Sequence, residues 1–160
     1  MHKTYLLLGG NLGDRTAYLQ LAVEQIAARV GEIQSSSRLY ETAAWGKTNQ
    51  PSFLNQVLEV HTVLLPEDVL HTINAIEHEL GRERFEHWGA RVIDIDILFY
   101  DDLVQQTQRL TIPHPQLHTR RFTLAPLTEI APHLVHPVYN QTIEQLLIDC
   151  TDELEVTVYQ

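Results

Sequence analysis

The stretch RVIDIDILFY, residues 91–100, carries two carboxylates, Asp94 and Asp96, in an otherwise apolar run. Side chains of a strand alternate between faces, so Ile93, Ile95 and Ile97 point one way and Val92, Asp94, Asp96 and Leu98 the other. The isoleucine side reads as core. The opposite side then holds two carboxylates whose Cα atoms lie roughly 6.5–7 Å apart by the strand rise. Like charges that close on a largely buried strand are costly unless something positive neutralises them. A bare D-x-D also suits a solvated edge-strand pair. Here, however, HWGARVIDIDIL sets Arg91 at the strand entrance and Trp88 and Gly89 just before it. Mg²⁺ prefers oxygen ligands, keeps several waters and commonly bridges carboxylates to phosphates. Two such ions about 3.5–4 Å apart could share this pair with a polyphosphate, while arginine forks take the remaining phosphate oxygens. The combination describes a site for a metal–nucleoside triphosphate.

Charge points the same way. The formal net charge is −10, which opposes approach to nucleic acid or an anionic membrane. Yet six of the 11 Lys and Arg residues (Arg82, Arg84, Arg91, Arg109, Arg120, Arg121) fall in one quarter of the chain around the aspartates, as a small anionic ligand would require. The single cysteine, Cys150, excludes an internal disulfide and fits a reducing compartment. YLLLGG is too short for a signal or membrane span, so a cytoplasmic location is the expectation. At 160 residues the chain is expected to form one domain, residues 1–160, and to act as a monomer that binds small molecules.

Other candidate groups are more ambiguous. No G-x-x-x-x-G-K-(S/T) stretch exists, so a P-loop is excluded. Gly9, Gly10, Asn11, Leu12 and Gly13 read as a tight strand-to-helix turn, with close approach to a flat ligand as the alternative. Nine histidines lack any zinc spacing; His114, near Arg120 and Arg121, better suits a hydrogen bond to a phosphate or nucleoside. Phe53 and Phe122 each suit a core position, or together a clamp on a planar heterocycle whose edge Asn55 could read.

Elements that would carry these groups follow from periodicity. Residues 4–8 read as a strand, and a helix starts near Asp14 with Leu19, Val23, Ile26 and Val30 on one face until Gly31. Residues 33–40 and 53–63 read as strands around the loop ETAAWGKTNQPS. A helix from Pro66 carries Val69, Ile73, Ile76 and Leu80 and closes at Gly81. RERFEHWGA reads as a polar, mobile segment before the aspartate strand. Asp101 and Asp102 mark a turn, with extended pieces near Leu103 and Leu110. Pro113 and Pro115 break regular structure, helices are expected over 122–130 and 142–148, and the tail from Asp152 has no clear pattern. The order β-α-β-β-α-β predicts an α+β fold: a ferredoxin-like (split βαβ) antiparallel sheet with helices packed on it.

Together GGNLGD, YETAAWGKTNQPSFLNQV, ELGRERFEHWGARVIDIDIL and LTIPHPQLHTRRFTLAPLTEIAP resemble the 6-hydroxymethyl-7,8-dihydropterin pyrophosphokinase family of folate biosynthesis. The most specific block matches W-G-x-R-x-x-D-(L/I/V)-D. The resemblance covers nearly the whole chain, least distinctively in the last two dozen residues. It implies transfer of the β,γ-pyrophosphoryl unit of ATP to the pterin hydroxymethyl oxygen, releasing AMP. By the same resemblance Asp94 and Asp96 hold two Mg²⁺ ions, with Asp94 also at the pterin. Arg82 and Arg91 engage the phosphates as catalytic residues, and Trp88 closes over them, with Arg84 nearby. Asn74, Ile97, Leu110, Thr111, His114 and Arg120 bind ATP. The pterin lies between Phe53 and Phe122, its edge read by Asn55 and by the backbone of Thr42, Ala43, Ala44 and Trp45.

This sequence departs from the family pattern at several points. Gly10 replaces a common Ser, Ala43 and Ala44 a proline-rich stretch, Asn74 a frequent Gln, and Pro115 a frequent Tyr. The segment between Arg82 and Trp88 is about one residue short, which leaves the role of Arg84 open. None of these touches the metal pair. Phosphoryl-type transfer asks mainly for positioning and electrostatics, so no nucleophile or base need be evident; segments 46–50 and 82–90 are expected to close over ATP. A polymerase-like nucleotidyltransferase, a metal-dependent phosphohydrolase and a non-catalytic binding module are the rival readings.

Overall fold

The computed structural model describes residues 1–43, 51–81 and 92–160. Strand β1 (His2–Gly10) runs antiparallel to both β4 (Phe53–Thr62) and β5 (Asp94–Tyr100). Strands β2 (Glu32–Ser36) and β3 (Tyr40–Thr42) both pair with the far side of β4, and β8 (Val156–Val158) adds to β3. The sheet order is therefore β5-β1-β4-β3-β8, with β2 also on β4, and every pairing is antiparallel. A separate hairpin joins β6 (Gln105–Gln106) to β7 (Thr111–Ile112).

Helices cover both faces. Helices α1 (Arg15–Arg29) and α2 (Pro66–Gly81) bury Leu19, Ala22, Ile26, Val69, Ile73 and Ile76 against Leu6, Leu8, Leu54, Leu58, Ile95 and Ile97. Helices α3 (Arg121–Ile130) and α4 (Ile143–Ile148) pack Leu124, Leu127, Ile143 and Leu146 onto Tyr5, Leu7, Val57, Leu98 and Phe99. Cover on both sides explains why β1 is buried without alternation from Thr4 to Gly10. Helix α1 starts where expected: the Asp14 carboxylate accepts from the Ala17 N–H at 3.1 Å, a cap contributing about 1 kcal/mol. No helix among the described residues is long and apolar enough to cross a membrane.

Several sequence expectations are revised. Gly9 and Gly10 lie inside β1, paired with Asn55 and Leu54, and not in a turn. The expected strand over 33–40 is two strands, because Ser37 leaves the ladder and its hydroxyl accepts from the Val57 N–H at 3.0 Å. The aspartate strand begins at Asp94, so alternation does not reach back to Val92, which joins the isoleucine cluster. Alternation also slips further along: Leu6 faces Ile97 but Tyr5 faces Phe99, leaving Leu98 as an extra residue. That bulge turns Leu98 and Phe99 to the same face, the one under α3, while Ile97 and Tyr100 stay on the other. The tail, patternless in sequence, supplies β8.

One buried base makes this packing acid-sensitive. His136 is 2% exposed and stands edge-on to Phe99. Its Nδ1 accepts from the N–H groups of Val138 (3.1 Å) and Tyr139 (3.3 Å), which requires an unprotonated nitrogen. Burial, reinforced by the charge of His118, lowers its pKa from the usual 6.5 to about 4. Between those values the unfolded chain takes up a proton that the folded chain refuses. Stability from this site is thus complete above pH 6.5 and falls by about 2–3 kcal/mol as pH drops towards 4. His136→Asn, which keeps an acceptor but cannot titrate, should flatten the fall of Tm over that window; an unaltered slope would refute the assignment.

Candidate active site

The register of three strands assembles the site. Asp96 lies opposite Leu7 and Asp94 opposite Gly9; Gly9 in turn lies opposite Asn55, and Phe53 opposite Thr42. Opposed residues share a face, so the carboxylates, Asn55 and Phe53 all stand on the α3 side of the sheet. The first turn of helix α3 brings Phe122 to the same cleft, and Arg120 just precedes the helix, its guanidinium 5.6 Å from the Phe122 ring centroid. Between these parts runs a cleft of about 210 Å³, lined also by Ala43, Leu7 and Leu154. Phe53 and Phe122 are both only half-buried and both line it, so neither simply fills the core.

Polar atoms converge on this cleft. Asn55 is 6% exposed and its Nδ2 donates to the Leu8 carbonyl at 3.3 Å, lying across Gly9. A side chain at Gly9 would run into that amide, so the absence of a Cβ there makes room for Asn55. Thr42 is 4% exposed, and its hydroxyl is buried without a hydrogen-bond partner. Buried polar atoms are rarely left unmatched, and this hydroxyl, on a residue lining the cleft, is open to a further hydrogen bond.

A second cavity, about 270 Å³, opens on the other side of the same strand. Helix α2 contributes Asn74 and Glu77, β5 contributes Ile95, Asp96 and Ile97, and the β6–β7 hairpin brings Arg109, Leu110 and Thr111, with His114 and Pro115 beyond. Asp96 lines both cavities. Strand β5 is an edge strand whose outward N–H groups lack a neighbouring strand; Glu77 accepts from the Ile95 N–H at 2.6 Å and so fixes the backbone between the two aspartates. His114 Nδ1 accepts from the Gln116 N–H at 3.1 Å, so the neutral ring carries its proton on Nε2. Burial lowers the His114 pKa, the Arg120 charge lowers it further and Asp96 opposes them.

Among the expected nucleotide contacts, Asn74, Ile97, Leu110, Thr111 and His114 meet around the second cavity, whereas Arg120 lines the first. Thr42, Ala43, Phe53, Asn55, Asp94 and Phe122 meet around the first. Ala44, Trp45, Arg82, Arg84, Trp88 and Arg91 lie outside the described residues, as do both segments expected to close. Sequence reasoning missed Leu7 and Leu154 in the first cavity and Glu77 in the second; it offered Gly9 only as an alternative to a turn, and Arg109 only as one of the clustered arginines. Glu77 had a signal, since it sits one helical turn from Asn74; Leu154 had none.

Two carboxylates lining the first cavity, one of them shared with the second, form a donor set that fits an oxygen-preferring, partly hydrated cation such as Mg²⁺. Among the described residues, no group of three or more His, Cys, Asp and Glu is gathered as a softer transition metal would prefer.

Two clefts that meet at one carboxylate can bring two small molecules together, the arrangement a group-transfer enzyme needs. Residues 5–132 match the family described as 7,8-dihydro-6-hydroxymethylpterin-pyrophosphokinase, and the chain belongs to that family. It is 45% identical over 145 residues to the 2-amino-4-hydroxy-6-hydroxymethyldihydropteridine pyrophosphokinase of Aquifex aeolicus, covering 91% of this chain and 90% of the relative. The enzyme of the same description from Synechocystis is 42% identical over 153 residues, covering 94% and 78%. A crystal structure of an HPPK-DHPS in complex with substrates superposes with a TM-score of 0.75 at 17% identity, over 92% of this chain and 43% of that longer one. At that identity the likeness is one of fold.

Proposed function

We propose that the chain transfers pyrophosphate from ATP to the hydroxymethyl group of 6-hydroxymethyl-7,8-dihydropterin, with the pterin in the first cleft and the nucleotide in the second. Asp96 lining both clefts is the observation that carries this reading, because the transfer needs the acceptor hydroxyl beside the polyphosphate. The flat ring lies between Phe53 and Phe122. Its edge meets the Thr42 hydroxyl and the amide of Asn55. In the second cleft Asn74 and the Thr111 segment contact the nucleoside, and the His114 Nε2–H donates to an acceptor of the nucleotide.

The hydroxymethyl oxygen forms a bond to the β-phosphorus as the bond from that phosphorus to the α-bridging oxygen breaks. AMP leaves with the bridging oxygen and the hydroxyl proton passes to solvent. Asp94 and Asp96 would hold two Mg²⁺ ions, which when bound offset the charge of the triphosphate. Arg82 and Arg91, as the family resemblance implies, take the phosphate oxygens, and Trp88 with Arg84 belongs to the same segment. The strand order and the helix pairs support a split βαβ, ferredoxin-like core. The single sheet shared by both apolar clusters supports one domain over residues 1–160.

The test is product analysis. With Mg²⁺ and ATP, AMP should appear in step with pterin diphosphate and only when the pterin is supplied. Release of pyrophosphate would instead favour a nucleotidyltransferase, and ATP consumption indifferent to pterin would favour a hydrolase.

A further inference from the structure

The tail beyond α4 lies outside the family match at residues 5–132, yet it reaches the first cleft. Leu154 lines that cleft together with Phe122 and Ala43. Its position is fixed from two directions. The Asp152 carboxylate accepts the Arg121 N–H through Oδ2 (3.0 Å) and the Leu154 N–H through Oδ1 (3.0 Å), joining the tail to the start of α3. The Arg121 side chain adds bonds to the carbonyls of Asp152 (3.0 Å) and Cys150 (3.1 Å). On the other side β8 pairs with β3, so that Val156 faces Thr42. The Arg15 guanidinium, 5.4 Å from the Tyr159 ring, covers the end of the tail.

We propose that Leu154 is a specificity-determining residue: an apolar wall that limits the size of the bicyclic heteroaromatic ring admitted to the first cleft, with Asp152 as the positioning residue that sets it against Phe122. This rests on the reading that the pterin occupies that cleft. A half-buried leucine at a ligand site contributes through contact and exclusion, whereas its removal leaves the second cleft untouched. The carboxylate of Asp152 ties the Leu154 N–H to the first turn of α3 and does not itself line the cleft, so losing it should free Leu154 while every side chain that lines the cleft is kept.

The probe is 6-hydroxymethylpterin, followed by its fluorescence in the presence of Mg²⁺ and a non-hydrolysable ATP analogue. Leu154→Ala should weaken its binding by roughly five- to tenfold and let a benzyl-substituted pterin compete, which the parent chain should refuse. Leu154→Trp should block the parent ring as well. Binding of the ATP analogue should stay within about twofold in both variants. Asp152→Ala should reproduce the Leu154→Ala loss, and the double variant should lose no more than either alone, because both act through one contact. Pterin binding within twofold of the parent in both Leu154 variants, or equal losses for the ATP analogue, would overturn the proposal. Phe122→Ala separates the two readings. If it loses pterin while the Leu154 variants do not, only the tail inference falls; if it too binds normally, the placement of the pterin falls with it.

Discussion

Asp96→Ala should lower pterin-dependent AMP formation by roughly three orders of magnitude, about 4 kcal/mol of lost transition-state stabilisation. The size of the effect follows from position. Asp96 lines both clefts, so under the proposed reaction its carboxylate lies where the acceptor oxygen and the polyphosphate meet. Asp94 lines only the first and should have a smaller effect on nucleotide binding. Asp96→Asn keeps the shape and removes the charge; it should lose activity almost as fully and bind the Mg²⁺ form of an ATP analogue more weakly. Without Mg²⁺ the same variant should be at least as heat-stable as the parent, because it relieves two like charges standing on one face of β5. Loss of activity with stability kept or raised separates a functional carboxylate from a structural one. An Asp96→Ala variant working within tenfold of the parent would remove the metal-ligand assignment.

The second large effect is expected at Asn55. Its amide is buried and uses one N–H on the Leu8 carbonyl; under the proposed reading its oxygen and second N–H serve the pterin edge. Asn55→Ala would leave ring donors and acceptors unmatched in a cleft that already holds the unpartnered Thr42 hydroxyl. The cost is about 2–3 kcal/mol, or close to a hundredfold in kcat/KM for the pterin, with the KM for ATP unchanged. Gly9→Ala offers an independent route to the same result. The added methyl collides with the Asn55 amide and must push it out of place, while the backbone of Gly9 in its strand requires no unusual conformation. A rise of about tenfold in pterin KM without change in ATP binding is the expected outcome. If Gly9→Ala leaves pterin KM unaltered, Asn55 is not positioned by this contact; if Asn55→Ala is also silent, it does not read the ring.

Local pattern determined a good deal here. The aspartate pair, its isoleucine partners, the capped start of α1 and the stripe of α2 were legible because alternation, helical period and cap chemistry are properties of neighbouring residues. The family blocks named two groups of residues, and the described members of each, Arg120 apart, gather around a cavity of their own, with Asp96 common to both cavities. What stayed hidden depends on residues far apart in the chain. Gly9 resembled a turn until its opposition to Asn55 showed why a side chain is excluded. The bulge at Leu98, which turns one residue of an alternating strand to the opposite face, is set by pairing with β1. Leu154 carries no pattern of its own and enters the cleft only because Asp152 grips α3 and β8 adds to β3. Sequence fixes which side chains are available and how they repeat along one element. Which of them share a cavity is settled by strand register and packing, through contacts whose cost of closure no local segment can meet alone.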